Sequence, residues 1–89
     1  MERIEKVIII DEECHGVLGV AIDLKSAIRW LIQTDWINGG TNFWVDEKWQ
    51  TVEQLFGERW RERIVEQNEE FFEGSFYFYE KDVIGAIYD

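Results

Sequence analysis

The sequence predicts an α+β domain: a mainly antiparallel sheet with two helices packed on one face, its elements in the order ββαβαββ. Three observations carry the prediction. Apolar, β-branched or aromatic runs interrupted by polar turns occur at both ends of the chain, in "RIEKVIIIDEECHGVLGVAI" and in "SFYFYEKDVIGAIYD". Two longer stretches between them repeat apolar residues at helical spacing. No Pro-rich, Ser-rich or low-complexity linker intervenes, so residues 1–89 read as a single small domain.

Taken in order, Arg3 to Asp11 alternates and then runs through four consecutive β-branched residues, Val7 to Ile10, the pattern of a strand buried on both faces. "DEECHG" is a polar loop closed by Gly16, and Val17 to Ile22 is the second arm of a hairpin. Asp23 stands where a helix N-cap belongs, ahead of "LKSAIRWLIQTDWI". Leu24, Ala27, Ile28, Leu31, Ile32 and Trp36 or Ile37 form its apolar stripe, and Asn38 to Gly40 is the expected stop. "TNFWVDEKW" reads as one strand, with Phe43 and Val45 on one face and Trp44 and Asp46 on the other. Thr51 and Gln54 have capping-box spacing and open a second helix, with Val52, Leu55, Phe56, Trp60, Ile64 and Phe71 inward. Gly57 marks where that helix can divide, and Gly74 where it stops. Phe76 and Phe78 then alternate with Tyr77 and Tyr79, and after a turn at Glu80 to Asp82 the segment Val83 to Tyr88 is the return strand. "VLGVAI" and "VIGAIY" each place Gly third, where the missing side chain lets a neighbouring aromatic lie across the strand.

Hydrophobic residues make up 46% and charged residues 31% of the chain, a globular balance despite a net charge of -10. A domain this small buries only about 60 to 65% of its unfolded surface, so its core needs large side chains. Five Trp, six Phe and three Tyr are available to fill it. A single cysteine cannot form an intramolecular disulfide, "MERIEKVIII" does not resemble a secretory signal, and the apolar runs are too short to span a bilayer. The expected setting is cytoplasmic. Nineteen acids against nine bases disfavour direct contact with nucleic acid or an anionic membrane, which Lys and Arg would have to hold. Nucleotide-binding and hydrolase motifs are lacking, so no cofactor and no enzymatic turnover are expected.

Three groups of residues are candidates for function. Asp11, Glu12 and Glu13 share "DEECHG" with Cys14 and His15, but adjacent loop residues point apart and the spacing fits neither a zinc site nor a Cys-His nucleophile. The expectation there is a turn whose charges can still face a partner, with no metal and no catalytic residue. Glu66, Glu69, Glu70 and Glu73 fall three and four apart and would form a carboxylate ridge on the second helix. No Lys or Arg occurs from Ile64 through Glu80 to neutralise them. Tyr77 and Tyr79 would lie opposite the core side of the last hairpin and, with Trp44, form an apolar patch if helices cover only one face. "GERWRER" reads as self-neutralising charge on a helix surface.

The combination of "VIIIDEECHGVLGVAIDLKSAIRWLI", "TVEQLFGERW" and "FFEGSFYFYE" resembles, in organisation and over most of its length, the short acidic open reading frames of phages and prophages of Gram-positive bacteria. Some proteins of that kind inhibit host defences, anti-CRISPR proteins among them. The resemblance implies binding and obstruction, in the host cytoplasm, and brings no active-site residues with it. Its partner would be a basic nucleic-acid-binding effector, met by Glu66, Glu69, Glu70, Glu73, Asp11, Glu12 and Glu13 as phosphate mimics and by Tyr77 and Tyr79 as anchors. The alternative expectation is a non-catalytic structural or regulatory domain that joins an assembly, or a homodimer, through the aromatic sheet face.

Overall fold

The computed structural model describes residues 6–82. These form five strands, β1 (Lys6–Glu12), β2 (Gly16–Ala21), β3 (Asn42–Val45), β4 (Lys48–Thr51) and β5 (Phe76–Asp82), with helices α1 (Leu24–Gln33), α2 (Val52–Phe56) and α3 (Trp60–Ile64). The α+β class is as the sequence predicts. β1 is the middle of a three-stranded sheet ordered β2-β1-β5, antiparallel on both sides, and β3 and β4 form a separate antiparallel pair. The expected return strand, Val83 to Tyr88, and the start of the first strand, Arg3 to Glu5, lie outside the described residues.

Register decides which side chains meet. Ile10 stands opposite Gly19 and Phe78, and Ile8 opposite Ala21, so these side chains share the inner face. Ile9 stands opposite Val20 and Tyr79, and Asp11 opposite Val17 and Tyr77, on the outer face. Leu18 is the extra residue at an irregularity between these two stretches of the ladder, a bulge that re-aims the strand. Gly19 does what the sequence suggested: the Trp30 ring of α1 lies across it, 3.5 Å from where a methyl would stand. The corresponding Gly85 lies outside the described residues.

The inner face, α1 and α3 share one core. Ile10, Phe76 and Phe78 meet Ala27, Ile28 and Leu31 of α1 and Trp60 and Ile64 of α3. Phe72 is fully buried at its centre and packs edge-on against Phe43, Phe71 and Phe78, with ring centroids 5.6, 5.1 and 5.5 Å away. Such T-shaped contacts let the positive ring edge meet the negative face. Asp23 caps α1 by accepting from the Ser26 backbone N–H at 2.7 Å, which holds its carboxyl below its ordinary value.

Three elements differ from the sequence reading. α1 stops at Gln33, five residues before Asn38, because Thr34 donates its hydroxyl to the Trp30 carbonyl and Asp35 turns left-handed with φ +63°. Ile37 returns its N–H to the Leu31 carbonyl and stays fully buried outside the helix, while Asn38 organises the next turn by accepting from the Gly40 N–H. "TNFWVDEKW" is two strands and not one. Asp46 and Glu47, both with positive φ, form a two-residue turn that places Trp44 directly across from Trp49. The second helix begins on its capping box, Thr51 and Gln54 exchanging bonds of 2.8 and 3.1 Å, but is broken at Gly57 (φ +78°) and again after Ile64. Glu69–Phe72 is a separate 3-10 turn capped by Asn68.

Candidate functional site

Within "DEECHG", the Glu12 carboxylate accepts from the backbone N–H groups of Cys14 (2.9 Å) and His15 (2.7 Å) and also meets the His15 ring nitrogen Nδ1. These contacts, the His15 side chain foremost, hold the Glu12 carboxyl below its ordinary range. The His15 ring sits edge-on to Trp36, centroids 5.2 Å apart, and Gly16 closes the turn with φ +77°. Glu12 is therefore spent inside its own loop. Cys14 is an exposed free thiol, and among the described residues no three His, Cys, Asp or Glu side chains stand close enough to hold a metal.

Glu13 turns the other way. Its backbone N–H donates to the Ser75 carbonyl at 3.1 Å, and its carboxylate acts on the Tyr77 phenol. The first loop is thereby fastened to the turn that enters β5, a link between Glu13 and Ser75, 62 positions apart. The carboxylate pushes the Tyr77 phenol above its ordinary value of 10.0, first because it favours the protonated phenol as a hydrogen-bond donor and then because ionisation would set two negative charges near each other.

The four glutamates do not form one helical ridge, since the helix that would have aligned them ends at Ile64. Glu66 pairs with Lys25 of α1 at 3.3 Å. Glu70 is exposed on the 3-10 turn. Glu69 and Glu73 line one side of a shallow cleft whose other wall is Phe76, Tyr77, Phe78 and Tyr79. The fold thus brings Glu69 and Glu73 to the two tyrosines and the Glu13 carboxylate under the influence of Tyr77, while Glu12 and Glu66 have partners of their own. Asp11 is half-buried on the outer sheet face, between Val17 and Tyr77.

That outer face carries Ile9, Val17, Val20, Tyr77 and Tyr79, with Val17 66%, Val20 61% and Tyr79 47% exposed. Trp44, expected to extend that face, lies on β3 of the separate two-stranded sheet, where it forms an edge-to-face pair with Trp49 at 5.4 Å. Both indoles are exposed. The sequence reading missed Val17, Val20 and Trp49. The bulge at Leu18 breaks the strict alternation that would have sorted β2 into faces, whereas two tryptophans flanking a two-residue polar turn did signal the Trp44–Trp49 pair. "GERWRER" behaves as expected in part: Arg59 pairs with Glu62 at 3.2 Å, and the Arg61 guanidinium lies 4.4 Å from the Trp60 ring centroid. Among the described residues no helix is long and apolar enough to cross a membrane. Compared with protein-family models, curated proteins and solved structures, the chain matches none.

Proposed function

We propose that this protein is a non-catalytic interaction module that occupies a basic nucleic-acid-binding groove on another protein, as a phage-encoded inhibitor of a host defence effector would. The observation that carries the reading is the cleft that sets Glu69 and Glu73 beside Tyr77 and Tyr79, with the first loop bound next to it through the Glu13 N–H and the Ser75 carbonyl. Carboxylates there present charge where a nucleic acid presents phosphates, and the tyrosines offer rigid rings that bury area at little entropic cost. The sequence from Ile64 through Glu80 has no Lys or Arg to cancel that charge. Glu70 and Asp11 flank the cleft on the 3-10 turn and on the outer sheet face.

The test is capture from bacterial lysate on immobilised protein, followed by competition with duplex DNA or RNA and by salt elution. A nucleic-acid-binding protein displaced by nucleic acid, and not retained by a Glu13→Gln, Glu69→Gln, Glu73→Gln variant, supports the reading. Equal retention by the variant overturns it. A second reading, self-association or assembly through the outer sheet face, is favoured by the exposure of Val17, Val20 and Tyr79.

A further inference from the structure

We infer that the groove between α1 and α3 receives the C-terminus of a partner polypeptide, its α-carboxylate on Arg29 and Arg61 and its aliphatic last side chain on Ile32 and Val65. The groove measures about 270 Å³ and is lined by these four residues together with Gln33 and Glu62. It shares no residue with the tyrosine cleft, so the inference stands or falls apart from the proposed function. Val65 is buried and Ile32 half-buried against the core, which makes the floor apolar, while both arginines and Gln33 are exposed.

The polar groups of the groove select its occupant. Among the described residues, neither Arg29 nor Arg61 forms an ion pair, and what separates them from the equally unpaired Arg63 is that they share one apolar groove. Glu62, the acid in the lining, is taken by Arg59, and Arg29 acts on the Asp23 carboxyl only over a distance. Arg61 is held over the Trp60 ring, 4.4 Å from its centroid, a stacking that leaves the N–H groups in the guanidinium plane able to donate. A side chain already placed in this way loses less freedom on binding. The Gln33 amide makes no hydrogen bond within the described residues either. Two guanidinium forks match a carboxylate, a side-chain amide matches the peptide group beside it, and the floor matches an aliphatic side chain. A chain that ends in leucine, isoleucine or valine supplies all three within one residue, and capture of a C-terminal carboxylate is an established mode of peptide recognition. The charge of the whole molecule narrows the choice: at -10 it repels an acidic run, so a lone carboxylate among uncharged groups fits and a glutamate-rich segment does not. Clefts that enclose small molecules measure roughly 300–1,000 Å³. This groove is smaller and open to solvent, a form suited to the end of a chain whose remainder lies outside.

Titration of the full chain with the peptide acetyl-Gly-Gly-Leu, followed by nuclear magnetic resonance, tests this. The free acid should shift the Gln33 side-chain amide and the Arg29 and Arg61 guanidinium signals together along one binding curve. The same peptide with an amidated C-terminus should bind about tenfold more weakly, and so should the free acid to Arg29→Gln or to Arg61→Gln. Arg63→Gln changes the net charge equally from an exposed α3 position outside the groove, and it should bind as the unsubstituted chain does. Equal binding of acid and amide overturns the inference, because the carboxylate then plays no part. An equal loss in Arg63→Gln overturns it too, reducing the effect to overall charge. Octanoate bound as tightly as the peptide overturns the peptide occupant and gives the groove to free aliphatic acids. No shift at any of the three side chains also overturns it. Far-ultraviolet circular dichroism and thermal melting of each variant establish that it is folded.

Discussion

Tyr77 is the residue on which the candidate site turns, because it lines the cleft and feels the Glu13 carboxylate of the first loop. Its phenol holds its proton to higher pH than an ordinary tyrosine, and the unfolded chain lacks the carboxylate that causes this. The folded state therefore binds the Tyr77 proton more tightly, the contribution is fully present below about pH 10, and it disappears as pH rises through the raised value. Absorbance titration should show a late phenol that Tyr77→Phe removes and that Glu13→Ala moves down toward 10.0, the ordinary value. An unmoved late transition in Glu13→Ala would mean that the Glu13 carboxylate stands apart from Tyr77. Glu12 and Glu13 are adjacent in sequence and have opposite duties: one satisfies the N–H groups of its own turn, the other reaches across to another element. The chain direction through a hairpin loop produces that division, since neighbouring side chains there point apart.

The β3–β4 hairpin is built on an unusual turn. Asp46 and Glu47 occupy left-handed backbone, which a two-residue hairpin loop demands and which Asn-Gly supplies without strain. Aspartate tolerates the position, but glutamate does so at a steric cost, so Glu47→Gly should stabilise the protein by about 0.5–1 kcal/mol in urea unfolding. A loss of stability would instead assign the Glu47 side chain a stabilising contact. The same turn shows why the element order was only partly legible. β1, β2 and the start of α1 were written plainly in β-branched runs and an N-cap, and they appear where expected. The hairpin was not, because its turn lacks the glycine that usually announces one. The glutamate ridge failed for a related reason. Spacings of three and four align side chains only while backbone hydrogen bonding is unbroken, and Gly57 and Asn68 each start a new local structure. The cleft was out of reach of periodicity altogether, because it lies between the 3-10 turn and β5, which only tertiary folding sets against each other.

For the whole molecule, charge is the term most open to adjustment. The ion pairs Lys6–Glu80, Lys25–Glu66 and Arg59–Glu62 have side chains between 54% and 72% exposed, and surface pairs of this sort are worth about 0–1 kcal/mol each. Repulsion among the unmatched acids of a chain at -10 is the larger quantity. Added sodium chloride should therefore raise the melting temperature, since screening relieves more repulsion than attraction. A lower melting temperature in salt would show the exposed pairs to be the stronger influence. Salt would also loosen a basic partner from the carboxylates, by screening the attraction between them. The tryptophan pair makes such effects visible by strand. Indoles at 5.4 Å in edge-to-face array couple their ultraviolet transitions, which splits the circular dichroism into a couplet of opposite signs. That signal arises from Trp44 and Trp49 alone, so the small sheet carries its own optical label. Its melting can be followed separately from that of the phenylalanine-filled interior, and two curves that fail to superimpose would identify β3–β4 as a unit that opens first.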